Sequence, residues 1–176
     1  DDVLRIRGIN RWGEGDDIIL RAPNTTRRQY VALGDSYSSG EGAGSYLSGT
    51  DVKNTNMCHT STNSYPYCIN RHIAFDGFRS VACSSARINN VVSAAQYPNT
   101  PNLNPFPGKQ KQIETIADAD IVTVTMSGND LGFADMLTYC IAFSVNCYNS
   151  YEERSEIANR IIDLHPRLVN MYEEII

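Results

Sequence analysis

The sequence predicts an α/β chain built on a parallel sheet with helices on both faces. Three short apolar or β-branched runs, at 30–33, 78–82 and 121–126, are separated by segments with helical periodicity. Strands that alternate with helices in this way pair in parallel through right-handed crossovers. Two of the runs also end in polar clusters, Gly34-Asp35-Ser36 and Ser127-Gly128-Asn129-Asp130, and reactive groups in open parallel sheets gather at the carboxyl ends of strands.

Residues 1–29 differ from the rest. They hold six arginines against five acids and no cysteine, with short apolar runs at 3–6 and 18–20 broken by glycines. This reads as a two-strand appendage or the tail of a preceding module, joined through a linker at 23–26. The main domain is expected over 30–176. The first strand, 30–33, ends at Gly34. A Gly/Ser/Thr/Asn-rich stretch at 38–63 reads as loop, and Ser64 can cap a helix running to about residue 75. The second strand follows at 78–82, then a short helix at 88–95 and a Pro/Asn-rich loop at 98–107. A helix is predicted over 109–117, with Ile113 and Ile116 on one face. The run 121–126 is the clearest strand.

Helices then dominate, the first over 133–141. Ser150-Tyr151-Glu152-Glu153 is a capping box, in which the hydroxyl and the glutamate side chain satisfy opposite free amides. The helix it opens runs to about residue 164, and Pro166 restarts or kinks it. Leu168, Met171, Tyr172 and Ile175 carry the next apolar face. The chain stops inside this helix, where another strand is expected, and so reads as truncated after the third strand.

The chain has 176 residues, of which 41% are hydrophobic and 20% charged, with a net charge of −5. That suits one domain with a real core. An acidic balance without a basic, aromatic-interleaved stripe argues against nucleic-acid binding. No run approaches the roughly 18 apolar residues that span a bilayer, and no signal peptide opens the chain. Oligomeric state is not readable. The five cysteines contain no Cys-x-x-Cys and accompany only three histidines, so neither a metal nor another cofactor is expected. Cys140 and Cys147 bracket a six-residue loop suited to a small disulfide ring, and Cys58 and Cys83 are candidates for a second bridge. Cys68, at helical spacing with Tyr65, Ile69 and Ile73, is expected in the core as a buried thiol. Two bridges imply an oxidising compartment, hence a secreted or extracellular protein; the alternative is a cytosolic protein with reduced thiols.

Each polar cluster alone is also a good turn sequence. Their joint placement after buried strands is harder to assign to turns. The stretch 30–40, containing Gly34-Asp35-Ser36-Tyr37-Ser38-Ser39-Gly40, resembles the nucleophile block of the SGNH/GDSL hydrolases. Ala82-Cys83-Ser84-Ser85-Ala86 resembles the second block, and 122–130, ending in Ser127-Gly128-Asn129-Asp130, the third. The segment from Met57-Cys58 to Ser64-Tyr65-Pro66, with the Cys58/Cys83 and Cys140/Cys147 spacings, resembles the secreted, disulfide-bonded lipase/esterase-like branch. The resemblance covers about 30–176. It implies a flavodoxin-like three-layer α/β/α fold and ester hydrolysis by acyl transfer. Ser36 would be the nucleophile, with Asn129 and the Ser36 and Ser85 amides as oxyanion donors, supported by Gly34, Asp35, Gly128 and Asp130. Lipid, acyl-glycerol or acetylated-carbohydrate esters are the implied substrates. The loops 46–56 and 97–107 are expected to shape the pocket.

The pattern departs from the family at two places. Ser85 stands where glycine is usual, and its amide survives as a donor unless that position demands a positive φ. The family's base is a histidine in a C-terminal Asp-x-x-His block, which this chain lacks. His59 reads as a solvated loop residue and His72 as a helical residue at the edge of the core. His165, in Asp163-Leu164-His165-Pro166, is one residue short of the family spacing. The base is therefore expected beyond Ile176, which would leave these residues inactive or weakly active alone. The rival is a catalytically degenerate domain used for binding or surface display. A flavodoxin-like phosphate binder lacks the glycine-rich fingerprint.

Overall fold

The computed structural model describes residues 3–10, 13–21, 28–53, 55–94, 111–142 and 149–176. The two N-terminal runs form β1 (Val3–Asn10) and β2 (Gly13–Arg21), paired antiparallel with Val3 opposite Arg21 and a register shift between Arg7 and Ile9.

The main sheet has β3 (Gln29–Gly34) at its centre, β4 (Gly77–Ser80) on one side and β5 (Ile121–Thr125) on the other, all parallel. Consecutive parallel strands cannot be joined by a tight hairpin, so each crossover carries helical structure. With the first of the three strands central, the chain leaves β3 toward one edge and returns to the other. The switch in strand order therefore lies between β3 and β5, and a crevice opens there at the strands' carboxyl ends.

Alternation along the strands sorts the two faces. Val31 and Leu33 of β3 pack with Ile88, Val91, Leu164 and Met171, and Val122 and Val124 of β5 join them. These contacts place α3 (Ile88–Val92) and α5 (Tyr151–Ile175) on one face. On the opposite face Tyr30 stacks on Phe75 and Phe78, with centroids 4.9 and 5.1 Å apart, and Tyr67 of α2 (Tyr65–Ile73) meets Phe78 edge-on. Such aromatic pairs add about 0.5–1.5 kcal/mol each beyond their area burial. The result is the expected three-layer α/β/α arrangement. Among the described residues β5 is an edge strand.

Four expectations need correction. The helix predicted over 109–117 is a single 3-10 turn at Gln112–Thr115, residues 109 and 110 lying outside the described residues. Its Ile113 and Ile116 reach the core without a longer helix, and Gln112 turns inward to bond backbone. Helix α5 does not restart at Pro166 but continues through it, with Leu164 and Met171 in the same core cluster. Ser64 occupies the N-cap position of α2, but its buried hydroxyl makes no capping bond and has no partner among the described residues. Cys68 is only half-buried, on the Arg71 side of α2, with the guanidinium 3.0 Å from its sulfur. Cys58 and Cys83 form the expected disulfide. Cys140, in α4 (Phe133–Ala142), is disulfide-bonded, while Cys147 lies outside the described residues. Ser150 accepts from the Glu153 amide at 3.3 Å, which is one half of the expected capping box.

Candidate active site

The end of β3 carries Gly34, whose φ of +139° and close packing exclude a side chain; a Cβ there would lie 2.6 Å from the Thr125 carbonyl oxygen. The next residue, Asp35, caps the single helical turn α1 (Ser36–Ser39) by accepting from the Tyr37 amide at 3.1 Å. Its own amide donates to the Thr125 carbonyl at 3.1 Å, which ties the start of the turn to β5. Ser36 therefore stands as the first residue of a turn projected from the central strand at the switch point. The turn closes at Gly40, in left-handed conformation with φ +89°, where the Gly40 and Glu41 amides both donate to the Ser36 carbonyl at 3.0 Å.

Beneath this turn lies a hydroxyl network. Ser38 Oγ contacts Thr125 Oγ1 and lies 3.0 Å from the Tyr65 hydroxyl, while Tyr30 and Tyr65 both reach Thr123 Oγ1. The alternation Val122, Thr123, Val124, Thr125 thus gives β5 a hydrophobic face and a hydroxyl face. Burial pushes the Tyr30 phenol pKa up, so it stays a neutral hydrogen-bonding group.

The segment after β4 brings the second cluster alongside. The Cys83 amide donates to the Gly34 carbonyl at 3.1 Å, and the disulfide to Cys58 anchors the same residue. Ser85 then adopts φ +67°, the left-handed region that glycine occupies without cost. Its position demands a positive φ, which suits the glycine usual in the family block and leaves this serine strained. Ser84 Oγ donates to Glu41 Oε2 at 2.5 Å, linking the segment to the end of the nucleophile-like turn.

The third cluster clamps the second. Asn129 Nδ2 donates to the Ala86 carbonyl at 2.8 Å, and Asp130 Oδ2 accepts from the Ile88 amide at 3.0 Å. The Asp130 side chain is fully buried, with Oδ1 paired to the Arg167 guanidinium of α5. Asp35 lies close to this pair. Burial raises its pKa, and the nearby Asp130 charge adds to that, against hydrogen bonds from the Tyr37 amide and Thr125 hydroxyl that lower it. Ser127, between β5 and Gly128, has φ +113°, a second strained residue at this strand end. The structure thus brings the three sequence clusters together at the carboxyl edge of neighbouring strands.

No family model matches the chain. Among solved structures it superposes on phospholipase A1 from Streptomyces albidoflavus NA297 with a TM-score of 0.57 at 28% identity, covering 85% of this chain and 54% of that one. The extracellular lipase from Streptomyces rimosus gives 0.54 at 33% identity, with 84% and 54% covered. In sequence the chain is 37% identical over 127 residues to a lipase of Streptomyces rimosus, and 38% identical over 112 residues to lipase 1 of Streptomyces coelicolor. These similarities support the secreted SGNH/GDSL lipase family, over part of its length. The chain spans only 39% and 34% of the length of those two relatives, although the matches cover 72% and 64% of the chain itself.

Within this family frame the histidines are not where the sequence suggested. His59 is not a solvated loop residue: its side chain is 15% exposed, with Nδ1 2.5 Å from Glu41 Oε2 and Nε2 3.3 Å from Asp51 Oδ1. Its ring stacks on Tyr46, and its backbone has φ +50°. His72 is exposed rather than at the edge of the core, with Nδ1 2.7 Å from the Cys68 carbonyl. His165 is exposed on α5. Among the described residues no group of three or more potential ligands could hold a metal. Of the expected pocket loops, 97–107 lies outside the described residues, whereas 46–56 carries a Val52–Asn56 bridge. Among the described residues no helix is long and apolar enough to cross a membrane. Two participants are missed by the sequence reading: Glu41, which links the first and second clusters, and Gln112, buried behind Gly34. Glu41 sits in a glycine-rich loop like any surface acid. Gln112 falls in a segment whose periodicity suggests a longer helix.

Proposed function

We propose that this chain carries the nucleophile and oxyanion-stabilising part of a secreted lipase- or esterase-like serine hydrolase. The observation that carries the reading is the Asn129–Ala86 hydrogen bond. It draws the strand-end asparagine against the Ser85 segment, beside the Ser36 turn at the switch in strand order. One Nδ2 hydrogen of Asn129 is used by Ala86, and the other is the one a developing oxyanion requires.

Ser36 Oγ attacks the ester carbonyl and gives up its proton to a base. The tetrahedral oxyanion accepts from Asn129 Nδ2 and from the Ser36 and Ser85 backbone amides, and its collapse expels the alcohol. Water then hydrolyses the acyl-enzyme by the same route. Each donor is held by a strand end or a disulfide-anchored turn, so little reorganisation accompanies the reaction. We assign the base to residues outside 1–176. The three histidines here have other surroundings, and the matches span only 39% and 34% of the two relatives. The neighbours named lipase and phospholipase A1 support a lipid ester substrate, and the 76% exposed Tyr37 beside Ser36 offers an apolar rim for an acyl chain. The Cys58–Cys83 disulfide supports an oxidising compartment.

The test is fluorophosphonate labelling of the full-length protein and its Ser36→Ala variant, with hydrolysis of p-nitrophenyl esters measured in parallel. Labelling and hydrolysis that both vanish in Ser36→Ala are expected. Labelling that survives the substitution, or a folded parent that does not label, overturns the reading and leaves a binding module.

A further inference from the structure

We infer that Gln112 is a positioning residue for the nucleophile, acting through the backbone of Gly34; the inference rests on the serine-hydrolase reading of Ser36. Gln112 has no exposed surface, and its side chain is the largest among the described buried polar or charged residues. Its amide makes a two-point contact with one residue. Oε1 accepts from the Gly34 amide at 2.7 Å, and Nε2 donates to the Gly34 carbonyl at 2.9 Å.

The reason for this contact lies in the sheet. In a parallel ladder the amide and carbonyl of one residue point to the same neighbour. Register pairing of β3 with β4 ends at Ala32 opposite Ser80, and beyond it the Val81 and Cys83 amides donate to the Ala32 and Gly34 carbonyls at 2.9 and 3.1 Å. Two residues further along β3, Gly34 faces the same side, and the Cys83 amide returns to its carbonyl but leaves its amide to another acceptor. Gln112 supplies the missing ladder partner. A primary amide presents one acceptor and one donor in a plane, as a peptide group does.

The turn bearing Gln112 is itself held. Arg79 of β4 donates from Nε and Nη2 to the Thr115 carbonyl at 3.0 and 2.6 Å, and the Thr115 hydroxyl bonds the Gln112 carbonyl at 2.7 Å. The backbone at Gly34 and Asp35 is thus gripped from the β5 side by Thr125 and from the β4 side by Gln112, directly before Ser36. Rotation of that peptide would move both the Ser36 hydroxyl and the Ser36 amide, which act on the same substrate carbonyl. Misplacement by about an ångström can cost roughly a hundredfold in rate.

The experiment compares the full-length parent with Gln112→Met, which keeps the volume and removes both bonds, and Gln112→Glu, which keeps an acceptor for the Gly34 amide. Each is labelled with a fluorophosphonate over a range of probe concentrations after a cooperative thermal unfolding curve establishes its folded state; Ser36→Ala is the control. For Gln112→Met a roughly tenfold or greater fall in the limiting labelling rate is expected, with apparent probe affinity within about twofold, and a smaller fall for Gln112→Glu. If Gln112→Met does not fold, Gln112→Glu is read by the same criterion. A folded variant that labels at the parental limiting rate, or that loses only affinity, overturns the inference while Ser36 stands. A parent without Ser36-dependent labelling overturns the nucleophile reading and, with it, this inference.

Discussion

Asn129 donates its side-chain amide to the backbone carbonyl of Ala86, so the end of β5 holds the segment that follows β4 across the top of β3. Asp130 repeats the contact one step along, accepting from the Ile88 amide. Two consecutive side chains of one strand end thereby set the position of Ser85. The Gly-Asn-Asp cluster is a clamp as well as a proposed donor.

Removing the Asn129 amide should accordingly affect turnover far more than binding. Loss of one oxyanion donor costs about a hundred- to thousandfold in kcat. For Asn129→Ala in the full-length protein we expect a fall in that range, with KM changed severalfold at most. Steady-state ester hydrolysis checks this, and an unchanged kcat would remove Asn129 from the proposed oxyanion hole.

Ser85→Gly should raise stability. A side chain in the left-handed region costs about 1–2 kcal/mol, and the added freedom of glycine in the unfolded chain offsets part of that, roughly 0.5–1 kcal/mol. A net gain of about 0.5–1 kcal/mol is expected, since the residue is exposed and has φ +67°. Chemical denaturation of the two proteins measures it; a loss of stability would mean that the serine side chain contributes contacts of its own.

The Cys58–Cys83 bridge closes a separation of 25 residues. Loop-closure entropy for a ring of that size corresponds to roughly 3–4 kcal/mol. The Cys58→Ala/Cys83→Ala double variant should lose about that much in urea unfolding. It should also lose Ser36-dependent labelling as the Ser84–Ser85 segment loosens.

Asp35 provides a pH signature. Burial raises its pKa in the folded state above the ordinary 3.8, so the folded protein holds this proton more tightly than the unfolded chain. Its stabilising contribution is fully present below 3.8 and is lost as pH rises through the higher folded value. In the Asp35→Asn variant the side-chain carbonyl would still accept from the Tyr37 amide, without titrating. Hence the Tm of Asp35→Asn relative to the parent should increase as pH rises from about 4 through the folded pKa. A Tm difference that does not change over this range would place the carboxylate in a better solvated setting than its burial indicates.

The layers and the strand ends were legible in the order of residues alone. Val31, Leu33, Val122 and Val124 alternate with residues of the other face, and that periodicity follows from the geometry of a strand whatever surrounds it. The polar cluster Gly34-Asp35-Ser36 at the end of a buried strand was legible as well, whereas the helical turn that Asp35 caps was not. Which distant groups would meet those ends was settled only by folding. Gln112 looks like one more polar residue of an amphipathic helix until the register of β4 ends at Ser80 and the Gly34 amide takes the Gln112 side chain as its acceptor. Cys68 has core spacing, yet it is only half-buried, with the Arg71 guanidinium 3.0 Å from its sulfur. His59 looks solvated until the chain folds Glu41 and Asp51 onto it. Local periodicity selects an element and its face; the partner of a buried polar group is set by contacts between residues far apart in the chain, which exist only once the sheet has assembled.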